Sequence, residues 1–542
     1  MILYLLILVA TALSLMAIPL MRRVAPRIGL LDMPGEARKV HKAPVPRVGG
    51  WGIVLGIVLP ASILMPASPL LHSYLAGVAI LFISGVLDDI HELGHYPKFA
   101  AQIAAALVVV LHGHLWVWHM PLMGLDPWSP TLGVPFTVFA IVGMINAINH
   151  SDGLDGLAGG EALLSLVVIL FLGTAHGADA FLVMLAAATI GGILGFLRYN
   201  THPATVFMGD AGSQVVGFTL AVLVIDLTQR VAPVLSPAVV LFLLGLPVMD
   251  IVAVLIQRVW HGMNWFKASR NHLHHRLLDL GLDHYDVVVI IYGLQAAMVI
   301  AGVLLRFESD ALVLAVYAAL CAAIFGTITW LERRGWRLSG EGQGMMPGRL
   351  IAGLRQNRLL CILPARLLLV LVCGYLLLAA LASREVPADF GWMAVALLLV
   401  LAVDRMVLKG KERQYALMVV YITGVFTVFL ARDPHPLGWL GNPVESVLFL
   451  VMALLVALAV KFDRKIHFGT TPLDYLMVLG LVTITLLAAY YRQLLPVSML
   501  VVKMVVLLYA MEVAGQRAGA DRSALYLSAS GALLLLAGRG LL

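Results

Sequence analysis

Charge is what this sequence has least of: Asp, Glu, Lys and Arg together make up 12% of its 542 residues, against 61% hydrophobic. A chain so poor in charge cannot shield its apolar surface from water, which excludes a soluble globular fold and leaves lipid as the solvent. Cysteine is equally scarce. Cys321, Cys361 and Cys373 show no C-x-x-C spacing, so neither a disulfide framework nor a thiolate zinc site is expected. Neither G-x-G-x-x-G nor G-x-x-x-x-G-K-[ST] occurs, which removes Rossmann and P-loop readings. Strand-like alternation is missing too, so the spanning elements are helices and not a barrel. No basic stretch precedes the first apolar run, and Arg22 and Arg23 follow it. That order fits a retained helix with its N-terminus outside, not a cleaved signal peptide.

What is present is a succession of apolar runs of about 20 residues, each long enough to cross a hydrocarbon core of about 30 Å. Ten are placed at about 2–20, 50–67, 70–87, 97–113, 131–147, 161–175, 179–198, 213–229, 235–257 and 287–305. Eight more follow at about 310–331, 366–383, 390–408, 414–431, 444–461, 472–490, 496–514 and 523–541. The expected fold class is an all-α polytopic membrane protein. A ten-helix body, residues 1–305, precedes an accessory transmembrane domain, residues 306–542, whose basic cytoplasmic linker at 332–366 reads equally as an interfacial segment on an anionic lipid surface or as a positive-inside loop with no further role. The accessory domain is expected to dock a partner or bind lipid.

Of the 36 Lys and Arg residues, only Arg230, Arg306, Arg384, Arg432, Arg492 and Arg539 fall on outer connections, and Lys503 alone falls inside a helix. The rest are cytoplasmic, as the positive-inside rule requires, so the net charge of +6 reports orientation and not nucleic-acid binding. Lys503 and Glu512 share one helix nine positions apart, and snorkelling near helix ends is their expected account.

The few acidic and amide residues gather on one face. Asp88 and Asp89 end the third run, and Asp152 and Asp155 follow the fifth in Asn146-Ala-Ile-Asn149-His-Ser-Asp152-Gly-Leu-Asp155-Gly. Asp210 follows the seventh, after Asn200, and His272, His274 and His275 follow the ninth. Ionisable groups at membrane depth are costly unless used. Carboxylates and amides without thiols favour a hard, oxygen-liganded cation, Mg²⁺ or Mn²⁺, which in turn suggests phosphate. The string His272-Leu-His274-His275-Arg276 admits three readings: zinc ligands, donors to phosphate, or solvated histidines. Neighbouring His274 and His275 are expected to diverge and no second histidine group stands nearby in sequence, so donation to an anionic substrate is preferred, helped by Arg258, Lys267, Arg270 and Arg276.

Six ordered segments, Arg47-Val-Gly-Gly-Trp-Gly, Gly85-Val-Leu-Asp88-Asp89, the strings from Asn146 to Gly160 and from Asn200 to Ser213, Pro247-Val-Met-Asp250 and Asn271-His-Leu-His-His-Arg276, together resemble one family. It is the polyprenyl-phosphate N-acetylhexosamine-1-phosphate transferases, closer to the N-acetylglucosamine branch than to the muramoyl-pentapeptide branch. The resemblance covers residues 1 to about 305. It implies transfer of a sugar-1-phosphate from a UDP-N-acetylhexosamine to undecaprenyl phosphate, with release of UMP, in the bacterial inner membrane at its cytoplasmic face. Asp88, Asp89 and Asp210 would be catalytic, with Mg²⁺ held by Asp210, Asn149 and Asn200. Substrates would meet Lys42, Arg47, Asn146, Asn149, Asp152, Asp155, Asn200, His272, His274, His275 and Arg276. The muramoyl-pentapeptide reaction and a lipid-linked sugar transporter are the alternatives, and a homodimer or glycan-assembly partners stay open.

Overall fold

The computed structural model describes residues 2–34, 43–120, 127–260, 262, 271–337, 358–383, 385–406, 413–431, 442–462, 471–490, 495–518 and 523–541. Lys42, Lys267, Arg270 and most of the expected linker at 332–366 lie outside them.

Every expected run is a helix. The first part comprises α1 (Ile2–Ile28), α2 (Gly49–Leu64), α3 (Pro69–His91), α4 (His95–Leu107, running on as a π turn to His112), α5 (Pro130–Ser151), α6 (Leu157–Ala175), α7 (Ala180–Asn200), α8 (Gly209–Asp226, then a π turn to Val231), α9 (Val240–Trp260), α10 (Leu273–Asp279), α11 (His284–Leu305) and α12 (Asp310–Arg333). The second part comprises α13 (Arg358–Ala382), α14 (Ala388–Met406), α15 (Arg413–Leu430), α16 (Asn442–Phe462), α17 (Pro472–Tyr490), α18 (Leu495–Ala518) and α19 (Ser523–Leu541). Among the described residues, twelve helices are long and apolar enough to cross a membrane and five more are shorter apolar helices. This is a multi-pass, all-α membrane protein.

The sequence missed three local features. α1 continues past the expected end near residue 20 as far as Ile28, through Pro19 and Pro26. Two short antiparallel strands, β1 (Leu31–Asp32) and β2 (Val45–Pro46), pair Leu31 with Pro46 and Asp32 with Val45. The histidine string is also no loop, because α10 forms there.

The chain divides into two compact units, Met1–Gly340 with Thr470–Tyr490, and Glu341–Gly469 with Tyr491–Leu542. In the first, α8 is the fully buried axis, with α2, α3 and α5 packed on it. Helix α17 belongs to this unit although it lies far along the chain. It packs on α6 and α11, and its Leu476 and Leu487 join the same core.

The second unit corrects the snorkelling account. Lys503 Nζ on α18 lies 2.6 Å from Glu445 Oε2 on α16, whose other oxygen accepts the Tyr375 hydroxyl of α13 at 3.0 Å. Glu512 accepts hydrogen bonds from Tyr421 of α15 and, at 2.8 Å, from Gln516. In a low-dielectric interior a charge finds a partner on a neighbouring helix when one is in reach. Glu445 is 58 residues from Lys503 in sequence, so their pairing leaves no local trace in the chain.

Candidate functional site

Helix α3 starts cleanly, with Pro69 in its first turn and the Ser68 hydroxyl accepting the Leu71 amide. Its last turn carries Asp88 and Asp89, only 4% and 6% exposed, where the helix dipole disfavours negative charge. Two things offset that cost. Asp89 accepts the amides of Asp210 at 3.0 Å and Ala211 at 3.2 Å, so it caps the N-terminus of α8 from another helix. Asp88 is ion-paired to Lys98 of α4, whose Nζ also lies 2.9 Å from Asp210 Oδ2.

This convergence depends on two glycines. At Gly85 a Cβ would strike the Ala211 backbone, so only glycine lets α3 and α8 come this close. Gly209 has φ +71°, and a Cβ there would lie 2.6 Å from Asp89 Oδ2.

From α5, Asn149 Nδ2 donates to Asp210 Oδ1 at 2.6 Å and to Ser213 Oγ at 2.8 Å. Asn146 donates to Gln102 Oε1 and to the Val142 carbonyl, both at 2.8 Å. Two carboxylates, Asp88 and Asp210, therefore meet at Lys98 with Asp89 held against the Asp210 amide, and Asp88 Oδ1 is buried without a hydrogen-bond partner. The excess of negative charge and the all-oxygen donor set fit a hard dication, with Asp210 the shared member.

An apolar groove lies between α4 and α5. Phe99, Ile103 and Leu107 of α4 face Val134, Pro135, Val138, Phe139 and Val142 of α5 across a cavity of about 510 Å³. Lys98 adjoins its α4 wall in sequence, and Asn146 stands one helical turn beyond Val142.

Asn200 sits elsewhere in the network. Its Oδ1 accepts the Gly156 amide at 2.8 Å and its Nδ2 donates to the Val206 carbonyl at 2.9 Å, so both ends of the side chain hold backbone. Asp155 Oδ2 accepts from His202 Nδ1 at 2.7 Å and from the Ala204 amide at 3.0 Å. Asp152 occupies the turn beside them. Burial, then the charges of Asp210 and Asp155, push its carboxyl up to about 7. Arg47 pairs with Asp32 across the small sheet, and although burial opposes its charge, Asp32, Asp89 and Asp210 raise its pKa above the ordinary value.

The histidines form a row instead of diverging. Ring centroids are 5.1 Å apart for His150 and His272, 5.9 Å for His272 and His274, and 4.2 Å for His274 and His275. The second histidine contribution missing from the sequence comes from α5, as His150. Asp250 of α9 holds the row in place: its Oδ2 lies 2.8 Å from His272 Nδ1 and its Oδ1 accepts the Leu273 amide at 2.7 Å. His274 packs so closely on Gly153 that a Cβ there would strike its Nε2. Burial, then His275 and His272, hold the His274 pKa well below its ordinary value, so the ring is neutral at pH 7. Arg276 turns away from the row, donating to both oxygens of Glu332 at 2.8 and 2.7 Å and to the Thr329 hydroxyl at 2.8 Å, both on α12.

Sequence reasoning missed Lys98, Gln102, Ser213 and Asp250 as members of this network. By sequence Lys98 merges with the positive-inside pattern, and the signal that separates it is position: a lone cation in the first turn of an apolar helix.

Comparison with known proteins places the chain among relatives. The profile of glycosyl transferase family 4 matches residues 71–228. A Bacillus subtilis protein named "Probable undecaprenyl-phosphate N-acetylglucosaminyl 1-phosphate transferase" is 32% identical over 308 residues, 55% of this chain and 85% of that one. The Escherichia coli K12 undecaprenyl-phosphate alpha-N-acetylglucosaminyl 1-phosphate transferase is 32% identical over 295 residues, 53% of this chain and 79% of its own. The Mycobacterium tuberculosis H37Rv decaprenyl-phosphate N-acetylglucosaminephosphotransferase is 34% identical over 359 residues, 58% of this chain and 85% of its own.

Proposed function

Because the chain belongs to glycosyl transferase family 4, among the polyprenyl-phosphate sugar-1-phosphate transferases, we propose that it moves N-acetylglucosamine-1-phosphate from UDP-N-acetylglucosamine to undecaprenyl phosphate and releases UMP. The observation that carries this reading is the carboxylate cluster in which Lys98 pairs with Asp88 and Asp210, together with an apolar groove between α4 and α5 whose lining residue Phe99 follows Lys98 in the chain. A polyprenyl chain suits the groove and its phosphate suits Lys98.

The acceptor phosphate needs little help from a base. A phosphate monoester has its second pKa near 6, so its attacking oxygen is largely ionised at neutral pH and positioning matters more. Lys98, fixed between Asp88 and Asp210, orients that oxygen toward the diphosphate. Asp89 keeps Asp210 in place by capping α8, and Asn149 holds the Asp210 carboxylate from the other side. Asp210 with Asn149 would hold Mg²⁺, or Mn²⁺ in its place. When bound, the ion supplies offset of phosphate repulsion and stabilisation of the leaving nucleotide. Asn200 supports the metal residues indirectly, by bracing the Gly156 turn.

The donor phosphates and sugar would lie between the histidine row and the turn from Asp152 to Gly156. His272, oriented by Asp250, and neutral His274 donate hydrogen bonds there, with His275 at the edge. Asn146, Asp152, Asp155 and Arg47 complete the pocket, and Lys42 precedes it. Arg276 anchors α10 through Glu332 and acts on the pocket by position.

The distribution of Lys and Arg supports a bacterial inner-membrane location with this site at the cytoplasmic face and the N-terminus outside. Residues 1–305 would suffice for the chemical groups, and within residues 306–542 the part outside the first compact unit would form an accessory domain that docks a partner or binds lipid. The test is UMP release by the purified full chain with undecaprenyl phosphate, Mg²⁺ and a panel of UDP-sugars. Release only with UDP-N-acetylglucosamine or a close relative supports the reading, and no release with any donor ends it.

A further inference from the structure

A second polar cluster lies where three segments meet. Asp155 comes from the turn between α5 and α6, His202 from the segment leaving α7, and His284 is the first residue of α11. One ligand-capable atom from each lies within 4.8 Å of the others. The His202 and His284 rings stack with centroids 4.3 Å apart and an interplanar angle of 26°. His202 is satisfied by Asp155, but His284 is held only through Nε2, by the Asp155 amide at 3.1 Å, while its Nδ1 is buried with no hydrogen-bond partner.

We propose that Asp155, His202 and His284 form a binding site for a borderline transition-metal dication of the zinc class, separate from the hard-cation site at Asp210. Two imidazole nitrogens and one carboxylate oxygen are the donor set that selects Zn²⁺ or Co²⁺ over Mg²⁺. Tetrahedral coordination with bonds of about 2.0–2.1 Å sets ligand atoms about 3.3 Å apart, so the Asp155–His202 pair would open from its 2.7 Å hydrogen bond while wider spacings, all within 4.8 Å, would close. Three protein ligands leave a fourth position open to water or to a substrate oxygen. Stacked rings also gain from metal binding, since two neutral imidazoles then share one cation where protonation would set two like charges face to face.

Occupancy would tie the turn carrying Asp152 to the segment that leads into Asp210 and to the start of α11. The ion would then act as a fastener for the donor side of the pocket. His202 has a side chain 42% exposed, which gives the ion a path from solvent.

The test uses the purified full chain, freed of any histidine tag, in millimolar Mg²⁺. Co²⁺ is added and its visible d–d absorption is titrated, followed by displacement with Zn²⁺. One equivalent of Co²⁺ with a tetrahedral spectrum is expected, displaced by Zn²⁺. Affinity should fall more than about 100-fold in His202→Ala and in His284→Gln, beyond what loss of an outer-shell partner costs. A smaller loss in the exposed His202→Ala, no tetrahedral band, or a band removed by His274→Ala instead overturns the assignment. Because the readout is metal binding, it stands or falls apart from the transferase reading.

Discussion

The carboxylate of Asp89 accepts the backbone amide of Asp210 at 3.0 Å, so two acidic residues adjacent in sequence, Asp88 and Asp89, have different tasks. Asp88 faces Lys98 and Asp89 caps α8. Asp89→Ala is expected to lower thermal stability by about 0.5–2 kcal/mol, the range for loss of a helix cap, and to lower activity with it. Asp88→Asn is expected to leave the melting temperature near the parent value and to reduce kcat at least about 100-fold. Melting curves and initial rates on the two variants check this split, and equal stability losses would contradict it.

Among the described residues, Lys98 is the cation that touches both Asp88 and Asp210. Lys98→Met should reduce kcat/KM for the lipid acceptor by about 100-fold or more while changing the KM for the nucleotide sugar little. A loss confined to the nucleotide sugar would move Lys98 to the donor side.

Asp152 has a folded-state pKa near 7, raised first by burial, against an ordinary value of 3.8. A raised carboxyl pKa means that the folded protein holds its proton to higher pH than the unfolded chain does. The carboxyl therefore withdraws stability progressively as pH rises from about 4 to 7, and the penalty is complete above 7. Asp152→Asn removes it. Its melting temperature should exceed that of the parent by a margin that grows from pH 5 to pH 7 and then levels off, alongside reduced activity. A gain independent of pH would contradict the assignment.

Helix α17 shares a core with α6 and α11 through Leu476 and Leu487. A chain ending at Arg334 keeps every chemical group of the site but leaves that face of α6 and α11 uncovered. It should lose transferase activity on heating at a lower temperature than the full chain, measured by residual UMP release after incubation. Equal thermal inactivation would show that α17 contributes nothing to the body.

The helices were legible because a hydrocarbon core imposes both length and composition on each span, and the acidic residues because charge near a membrane is too costly to be incidental. The partnerships were not. Lys98 meets Asp210 across 112 residues, and Asn149 meets Asp210 across 61. Nothing local in the sequence distinguishes Asp88 from Asp89, because the distinction arises only when Gly85 brings α3 onto α8. The same holds for Asn200, whose amide was expected at the metal and instead braces backbone at both ends, and for Arg276, which Glu332 claims from a later helix. The row of histidines needed His150, which lies more than a hundred residues earlier.

The central claim is that the β-phosphorus of a UDP-sugar ends on the lipid. Purified protein given UDP-N-acetylglucosamine labelled with ³²P at the β-phosphate, undecaprenyl phosphate and Mg²⁺ should move the label into the organic phase in step with release of unlabelled UMP. Chelation of the cation or Asp210→Ala should abolish both. Label that stays in the aqueous phase, or transfer undiminished in Asp210→Ala, would contradict the account.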